Sequence, residues 1–317
     1  MNGKRAYFLV LAEELNFTRA AERLFITQQA LSDSIRRMEE SYGVLLFERR
    51  PKLRLTPSGE AVLRRFRQLD RIEAALRSEL DEIAGGSSGQ LRLGMSIPRA
   101  RILAPQLLRT FCQLFPQVEL TVRHEETSNF ERMLRSGDLD LFLGTNVQPD
   151  PEFEILCLME EPTLVLVSRE LLSRSFSDPD LLEHWKQEGA DLALWAGRLP
   201  FLLNPPPSRL RRQIDEHLSQ YGVKIKPFLT ISDNETQIVI AAQNVGACFA
   251  PQMMAHHALQ INASQPDNPL MAFRIAHLYQ AGRLDLVYPK EAFLPRYTRA
   301  LIGLMRQEVE RYRTIAL

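Results

Sequence analysis

The chain has 317 residues, 45% apolar and 25% charged, with 39 basic side chains balancing 39 acidic ones. That length allows two or three domains with real cores, and that composition excludes wholesale disorder. No apolar run approaches the roughly 18–20 residues of a membrane span. The short apolar run behind Lys4-Arg5 is closed by Glu13-Glu14 before it reaches signal-peptide length, so a cytoplasmic location is expected. Cys112, Cys157 and Cys248 are odd in number and far apart, which argues against a disulfide framework or a zinc site. Each is read as a small buried hydrophobe, and no cofactor or metal is expected.

The neutral total hides an asymmetry. Through Arg67 there are 13 basic against 8 acidic side chains, a net of +5, so the remainder carries −5. A basic head on an acidic body points to a polyanion at the head. The head, to about residue 57, reads as short helical segments with almost no glycine. Leu9, Leu11, Ala12, Leu15 and Phe17 give the first helix an apolar face, and Thr18 is placed to cap a second around Ala20, Ala21 and Leu24. Thr27 is placed to cap a third over 28–38, with Ala30, Leu31, Ile35 and Met38 inward. Its other face offers Gln28, Gln29, Ser32, Asp33, Ser34 and Arg36, whose donors and acceptors suit phosphates and base edges. Two short helices with small residues at their crossing fit a helix-turn-helix over about 17–36; a helical bundle with a solvated face has the same periodicity.

A long helix is predicted over 58–84. Val62, Phe66, Leu69, Glu73, Leu76, Leu80 and Ile83 follow the alternating spacing of a coiled-coil seam, with Glu73 the charged member. Either a second copy or the chain's own domain covers that seam. A hinge follows at 85–89, Gly-Gly-Ser-Ser-Gly. Beyond it, strands at 91–95, 118–122, 139–143, 164–167, 224–230, 247–250 and 284–288 alternate with helices at 102–115, 130–135, 209–221, 235–243 and 295–312. This is α/β patterning with largely parallel strands. In such sheets ligands settle at strand carboxyl ends against helix amino termini. That selects Ser96, Arg99 and Arg101, then Thr127, Ser128 and Asn129, then Thr145, and Asn204, as effector-binding candidates for a small carboxylate or similar anion. Solvated helix starts are the other reading, and Ser128-Asn129 is placed to cap a helix. There is no phosphate-cradling glycine loop, zinc motif or nucleophile elbow, and the six histidines are scattered, so no enzyme is expected.

A family resemblance rests on Ala12-Glu13-Glu14-Leu15-Asn16-Phe17-Thr18-Arg19-Ala20-Ala21-Glu22-Arg23-Leu24, on Thr27-Gln28 and on Ala30-Leu31-Ser32. It continues through Ile35, Glu39, Gly43, Leu46-Phe47-Glu48-Arg49 and Leu55-Thr56-Pro57-Ser58-Gly59. This head resembles the amino-terminal domain of LysR-type transcriptional regulators. Gln29 stands where the family often has proline, and Met38 where it usually has leucine. From Gly89 onward, pieces such as Phe115-Pro116-Gln117-Val118 and Leu134-Arg135-Ser136-Gly137-Asp138 resemble the family's effector domain.

The resemblance implies a winged helix-turn-helix over 1–60, a linker and dimerisation helix over 58–84, and a periplasmic-binding-protein-like effector domain over 90–317. That domain has two Rossmann-like subdomains, one at about 90–164 and 270–317, the other at about 165–269. It also implies DNA contacts from Gln28, Gln29, Ser32, Ser34 and Arg36 on the recognition helix and from Arg49, Arg50 and Lys52 in the wing. Thr18, Arg19 and Arg37 join them, Arg37 as a phosphate contact or as a solvated partner of nearby carboxylates. The expected function is promoter binding at an imperfect inverted repeat by a homodimer or homotetramer, tuned by a small-molecule effector, with RNA polymerase as a further partner. The alternative is a solute-binding or enzymatic protein of periplasmic-binding-like fold.

Overall fold

The structure is a computed structural model that describes residues 2–83, 88–206, 208–278 and 281–313. The head comprises α1 (Asn2–Glu14), α2 (Phe17–Arg23), α3 (Gln28–Tyr42), β1 (Phe47–Glu48) and β2 (Arg54–Leu55), the two strands paired antiparallel as a wing. Phe8 and Leu11 of α1 meet Ala20 and Ala21 of α2 and Leu31, Ile35 and Met38 of α3 in one buried cluster closed by Leu46 and Phe47. Two local readings are corrected. Leu15 is exposed at positive φ in the turn, and Phe17 opens α2, so neither continues the α1 face. The cap of α2 is Asn16, whose side chain accepts from the N–H groups of Thr18 and Arg19.

The head passes directly into α4 (Pro57–Ile83), 27 residues and about 40 Å of helix. Val62 and Phe66, expected in a dimer seam, instead pack into the head, where Phe66 meets Phe8 edge-on with ring centres 5.4 Å apart. Glu73 is held by Arg5 of α1 at 2.6 Å, and the same guanidinium holds Asp70 at 2.8 Å. Leu69, Ile72, Leu76, Leu80 and Ile83 stay exposed. Of the expected hinge, 85–87 lies outside the described residues, and Gly89 already belongs to a strand.

The body runs β3 (Gly89–Gly94), α5 (Ile97–Leu114), β4 (Val118–Arg123), α6 (Thr127–Ser136), β5 (Leu141–Thr145), β6 (Phe153–Glu161) and β7 (Thr163–Ser168). It continues with α7 (Arg169–Ser175), α8 (Pro179–Glu188), α9 (Leu192–Ala196), β8 (Phe201–Leu203), α10 (Arg209–Ser219) and β9 (Leu229–Thr230). It closes with α11 (Asn234–Ala242), β10 (Ala247–Pro251), α12 (Gln252–Ser264), β11 (Leu270–Arg274), β12 (Gly282–Pro289) and α13 (Arg296–Glu310). One five-stranded sheet has the order β4-β3-β5-β12-β6, the other β11-β7-β10-β8-β9.

Both sheets are mixed rather than largely parallel, since β12 runs against β5 and β6, and β7 runs against β10 and β11. The chain crosses from the first sheet to the second at Pro162 and returns after β11, so residues 270–274 belong to the second lobe rather than the first. The predicted strand over 224–230 shrinks to its last two residues. The stretch after β7 folds around an aromatic knot in which Trp185 and Trp195 sit edge to face at 5.1 Å, with Phe176 and Phe273 against them.

Candidate DNA interface and effector cleft

Thr27 caps α3 as its sequence predicts, accepting from the Ala30 N–H at 3.2 Å. Gln28, Gln29, Arg36 and Arg37 are exposed and Ser32 is half-buried, so these five share the open side of the helix. Ser34 does not join them. It is 4% exposed, because it lies three residues after Leu31 and four before Met38, on the inner stripe. Ala30, expected inward, is exposed in exchange. The Thr18 hydroxyl donates to Gln28 Oε1 at 3.3 Å, which joins the start of α2 to the start of α3. Arg19 donates to the Glu14 carbonyl at 2.8 Å. Arg36 leans on Asp33 at 3.1 Å and Glu40 at 3.8 Å, and Arg37 Nε donates to the Asp33 carbonyl at 3.2 Å.

In the wing Arg49, Arg50 and Lys52 are all exposed, and the Arg49 guanidinium lies 5.4 Å over the Phe17 ring. Other basic residues of the head are neutralised internally: Arg5 by Asp70 and Glu73, Arg23 by Glu13 and Glu14.

Glu39, to which the sequence alone assigns no role, joins the two halves of this face. Buried at 8% exposure, it accepts at Oε1 from the N–H groups of Leu46 and Phe47 at 2.8 and 3.1 Å, so α3 carries the wing. On the far side, the Thr56 hydroxyl donates to the Leu45 carbonyl at 2.7 Å and accepts from Gly59 at 3.0 Å. A side chain at Gly59 would strike the Leu46 carbonyl, which explains the glycine. Phe25 stands 95% exposed at φ 55° in the turn between α2 and α3.

In the body, Ser96 follows β3, Thr145 ends the neighbouring β5 and Thr127 opens α6, all at the carboxyl edge of the first sheet. Ser96 precedes α5 without a side-chain capping bond, and the Thr127 hydroxyl accepts from the Thr145 N–H at 3.3 Å. Ser128 is exposed within α6. Asn129 is tied to Glu125 and Arg132, and the cap position belongs to Glu126, so neither Ser128 nor Asn129 caps the helix. Asn204 sits at the end of β8 in the second lobe, its amide donating to the Ser232 carbonyl at 3.1 Å and to Asn234 Oδ1 at 2.9 Å. Arg101 of α5 pairs with Glu235 of α11 and so bridges the two lobes.

Arg99 is corrected as an effector contact. It is 3% exposed, and both its terminal nitrogens engage Glu161, which also accepts the Met253 N–H at 2.9 Å. The pair fastens α5 and α12 at the point where the chain crosses between lobes.

The stalk is also tied to the body. Arg67 meets Asp138 at 3.2 Å, while Glu82 accepts from the Arg296 N–H at 2.9 Å and from Arg299 at 2.6 Å. The Arg296 N–H first, and the two arginine charges with it, hold the Glu82 carboxyl below its ordinary pKa. Between α4 and the first lobe lies a cavity of about 1060 Å³ that includes Ile72 and Leu76 on one wall and Leu139 and Phe153 on the other. Among the described residues no three His, Cys, Asp or Glu side chains gather as a metal site, and no helix is long and apolar enough to cross a membrane.

A winged helix-turn-helix with an open polar recognition face, carried by a long helix on a two-lobed α/β body, defines a DNA-binding regulator with a ligand-binding body. The description "LysR substrate binding domain" matches residues 84–310, and "Bacterial regulatory helix-turn-helix protein, lysR family" matches residues 5–60. The chain belongs to the LysR family: it is a DNA-binding transcriptional regulator with an effector-binding domain.

Among curated relatives it is 26% identical to the uncharacterized HTH-type transcriptional regulator YcgK of Bacillus subtilis, over 78% of this chain and 79% of that one. Three others align over between 39% and 56% of their own length. The fold is similar to that of ArgP from Mycobacterium tuberculosis, with a TM-score of 0.68 at 20% identity over 96% of both chains. It is also similar to full-length CbnR solved in complex with its target DNA, with a TM-score of 0.60 at 18% identity over 97% of this chain and 99% of that one.

Proposed function

We propose that this regulator reads promoter DNA with Gln28, Gln29 and Ser32 in the major groove, and holds phosphate with Thr18, Arg19, Arg36, Arg37 and the wing residues Arg49, Arg50 and Lys52. The observation that carries this reading is the open side of α3, where unburied amides, a hydroxyl and a guanidinium follow a capped helix start. Two heads act together on an imperfect inverted repeat. The support is the stripe of Leu69, Ile72, Leu76, Leu80 and Ile83, five large apolar side chains between 45% and 76% exposed on one helix. The effector is a small anion such as a carboxylate, met by the hydroxyls of Ser96, Thr127 and Thr145 between the lobes. Regulation follows when that ligand favours one arrangement of lobes or heads over another. The protein works in the cytoplasm, where RNA polymerase meets it at the promoter.

Retardation of promoter fragments across a salt series, followed by sequencing of the retained DNA, tests the reading. Retention that weakens with salt and converges on an inverted repeat supports it. Failure to retain any fragment in dilute buffer, with and without small acids, refutes it. For the effector, a thermal-shift screen of small carboxylates should find a stabiliser whose effect is lost in Ser96→Ala.

A further inference from the structure

On the first lobe, a crevice of about 290 Å³ opens between β6, β12 and the 147–150 loop. Its walls include Val147, Phe153, Ile155 and Cys157, and its polar end is made by Arg283 and Asp285. Asp285 is fully buried. Its Oδ2 accepts from the Val147 N–H at 2.9 Å and from Arg283 at 3.3 Å, whereas Oδ1 has no hydrogen-bond partner among the described residues. The same Arg283 nitrogen also donates to the Val147 carbonyl at 3.0 Å. Asp150 at the rim is engaged by Arg135, which in turn covers the Phe153 ring at 4.7 Å.

A buried carboxylate oxygen without a donor is costly. The missing partner is therefore a donor, and a cationic one fits best. An anion would meet Asp285 itself. A hard metal ion wants about six oxygens, and the described residues gather no such set here. The remaining walls are aliphatic and aromatic, and the volume is at the small end for ligand pockets, which start at roughly 300 Å³.

We propose that this crevice binds a small primary ammonium compound with a short apolar body, its nitrogen donating to Asp285 Oδ1 and its carbons lying on Phe153 and Ile155. The site is separate from the anion cleft, so either stands without the other. Because the Val147 N–H grips the same carboxylate and Asn146 is bonded to Arg283 at both backbone positions, occupancy would fix the segment that begins at Thr145.

The full-length protein and n-butylammonium chloride provide the test, with potassium chloride at equal ionic strength and sodium butyrate as comparisons. Butylammonium should raise the melting temperature above both salts. It should also slow iodoacetamide alkylation of Cys157, with half-protection at the concentration of half-maximal shift, while the rate at exposed Cys112 stays unchanged. Asp285→Asn should weaken binding on the order of tenfold, the worth of a hydrogen bond to a charged group. An unchanged Cys157 rate in the wild-type protein overturns the proposal even if the variant fails to fold. Equal protection by potassium, or equal binding by a folded Asp285→Asn, overturns it as well.

Discussion

Glu39 shows how one side chain sets the geometry of the DNA face. It lies on the inner side of the recognition helix, yet its carboxylate holds the first strand of the wing, so helix and hairpin approach the duplex at a fixed angle. Glu39→Ala should cost about 1.5–3 kcal/mol per lost charge-assisted bond, read by urea unfolding, and should weaken DNA binding as well. Glu39→Gln, which keeps an acceptor, should recover most of both. Arg36 gives a different signature. Its free-state partners Asp33 and Glu40 are both solvent-accessible, so the guanidinium is available to phosphate. Arg36→Ala should lower affinity for every duplex and reduce the salt slope by about one, whereas buried Ser34→Ala should leave the slope unchanged. Titrations at several salt concentrations separate these outcomes. The polar face of α3 was legible in the sequence, and Ser34 was its one error. A serine fits either side of a helix, and helical spacing to Leu31 and Met38 decides the matter only once the stripe is fixed. Arg99 was illegible for another reason: its partner Glu161 is 62 residues away.

Elements meet the same limit on a larger scale. The seam of α4 was visible as spacing, but the spacing does not say what covers it: the head takes Val62, Phe66 and, through Arg5, Glu73, while Leu69, Leu76, Leu80 and Ile83 stay exposed. The α5–β6 fastening by Arg99 and Glu161 is a buried ion pair, and removing one partner leaves the other charged in an apolar setting. Arg99→Ala should therefore cost roughly 3–5 kcal/mol, detected as lower thermal stability of the body. The Glu82 contact makes the junction of α4 with α13 sensitive to acid. Its carboxyl is held below the ordinary value in the folded protein, so its contribution is complete above that value and disappears as pH falls through the lowered one. Hydrogen exchange across Arg296–Arg299 should accelerate in that acid window. Glu82→Gln should show faster exchange already at neutral pH and no further acid step from this group.

At the scale of the molecule, the alternation of strands and helices marked the body as α/β and the basic head pointed to a polyanion, whereas the two lobes were legible only through the family resemblance. Strand direction was not legible, because the partners of β7 and β12 are set by hydrogen bonds between segments far apart in sequence. Pairing of two chains through the exposed stripe of α4 gives a further expectation. Leu76→Glu should convert the assembly toward monomers in analytical ultracentrifugation with an unchanged circular-dichroism spectrum, and should weaken binding to a two-site fragment far more than to a single site.

Arg5 clamps α1 to Asp70 and Glu73 while Phe66 interlocks with Phe8, so the DNA-reading unit has no swivel against the first half of its stalk. A twist applied lower down would thus pass to the groove, as by a key turned in its lock. On the proposed pairing of two chains, a response to an effector needs no refolding of the head, only a change in the angle at which the two keys are presented.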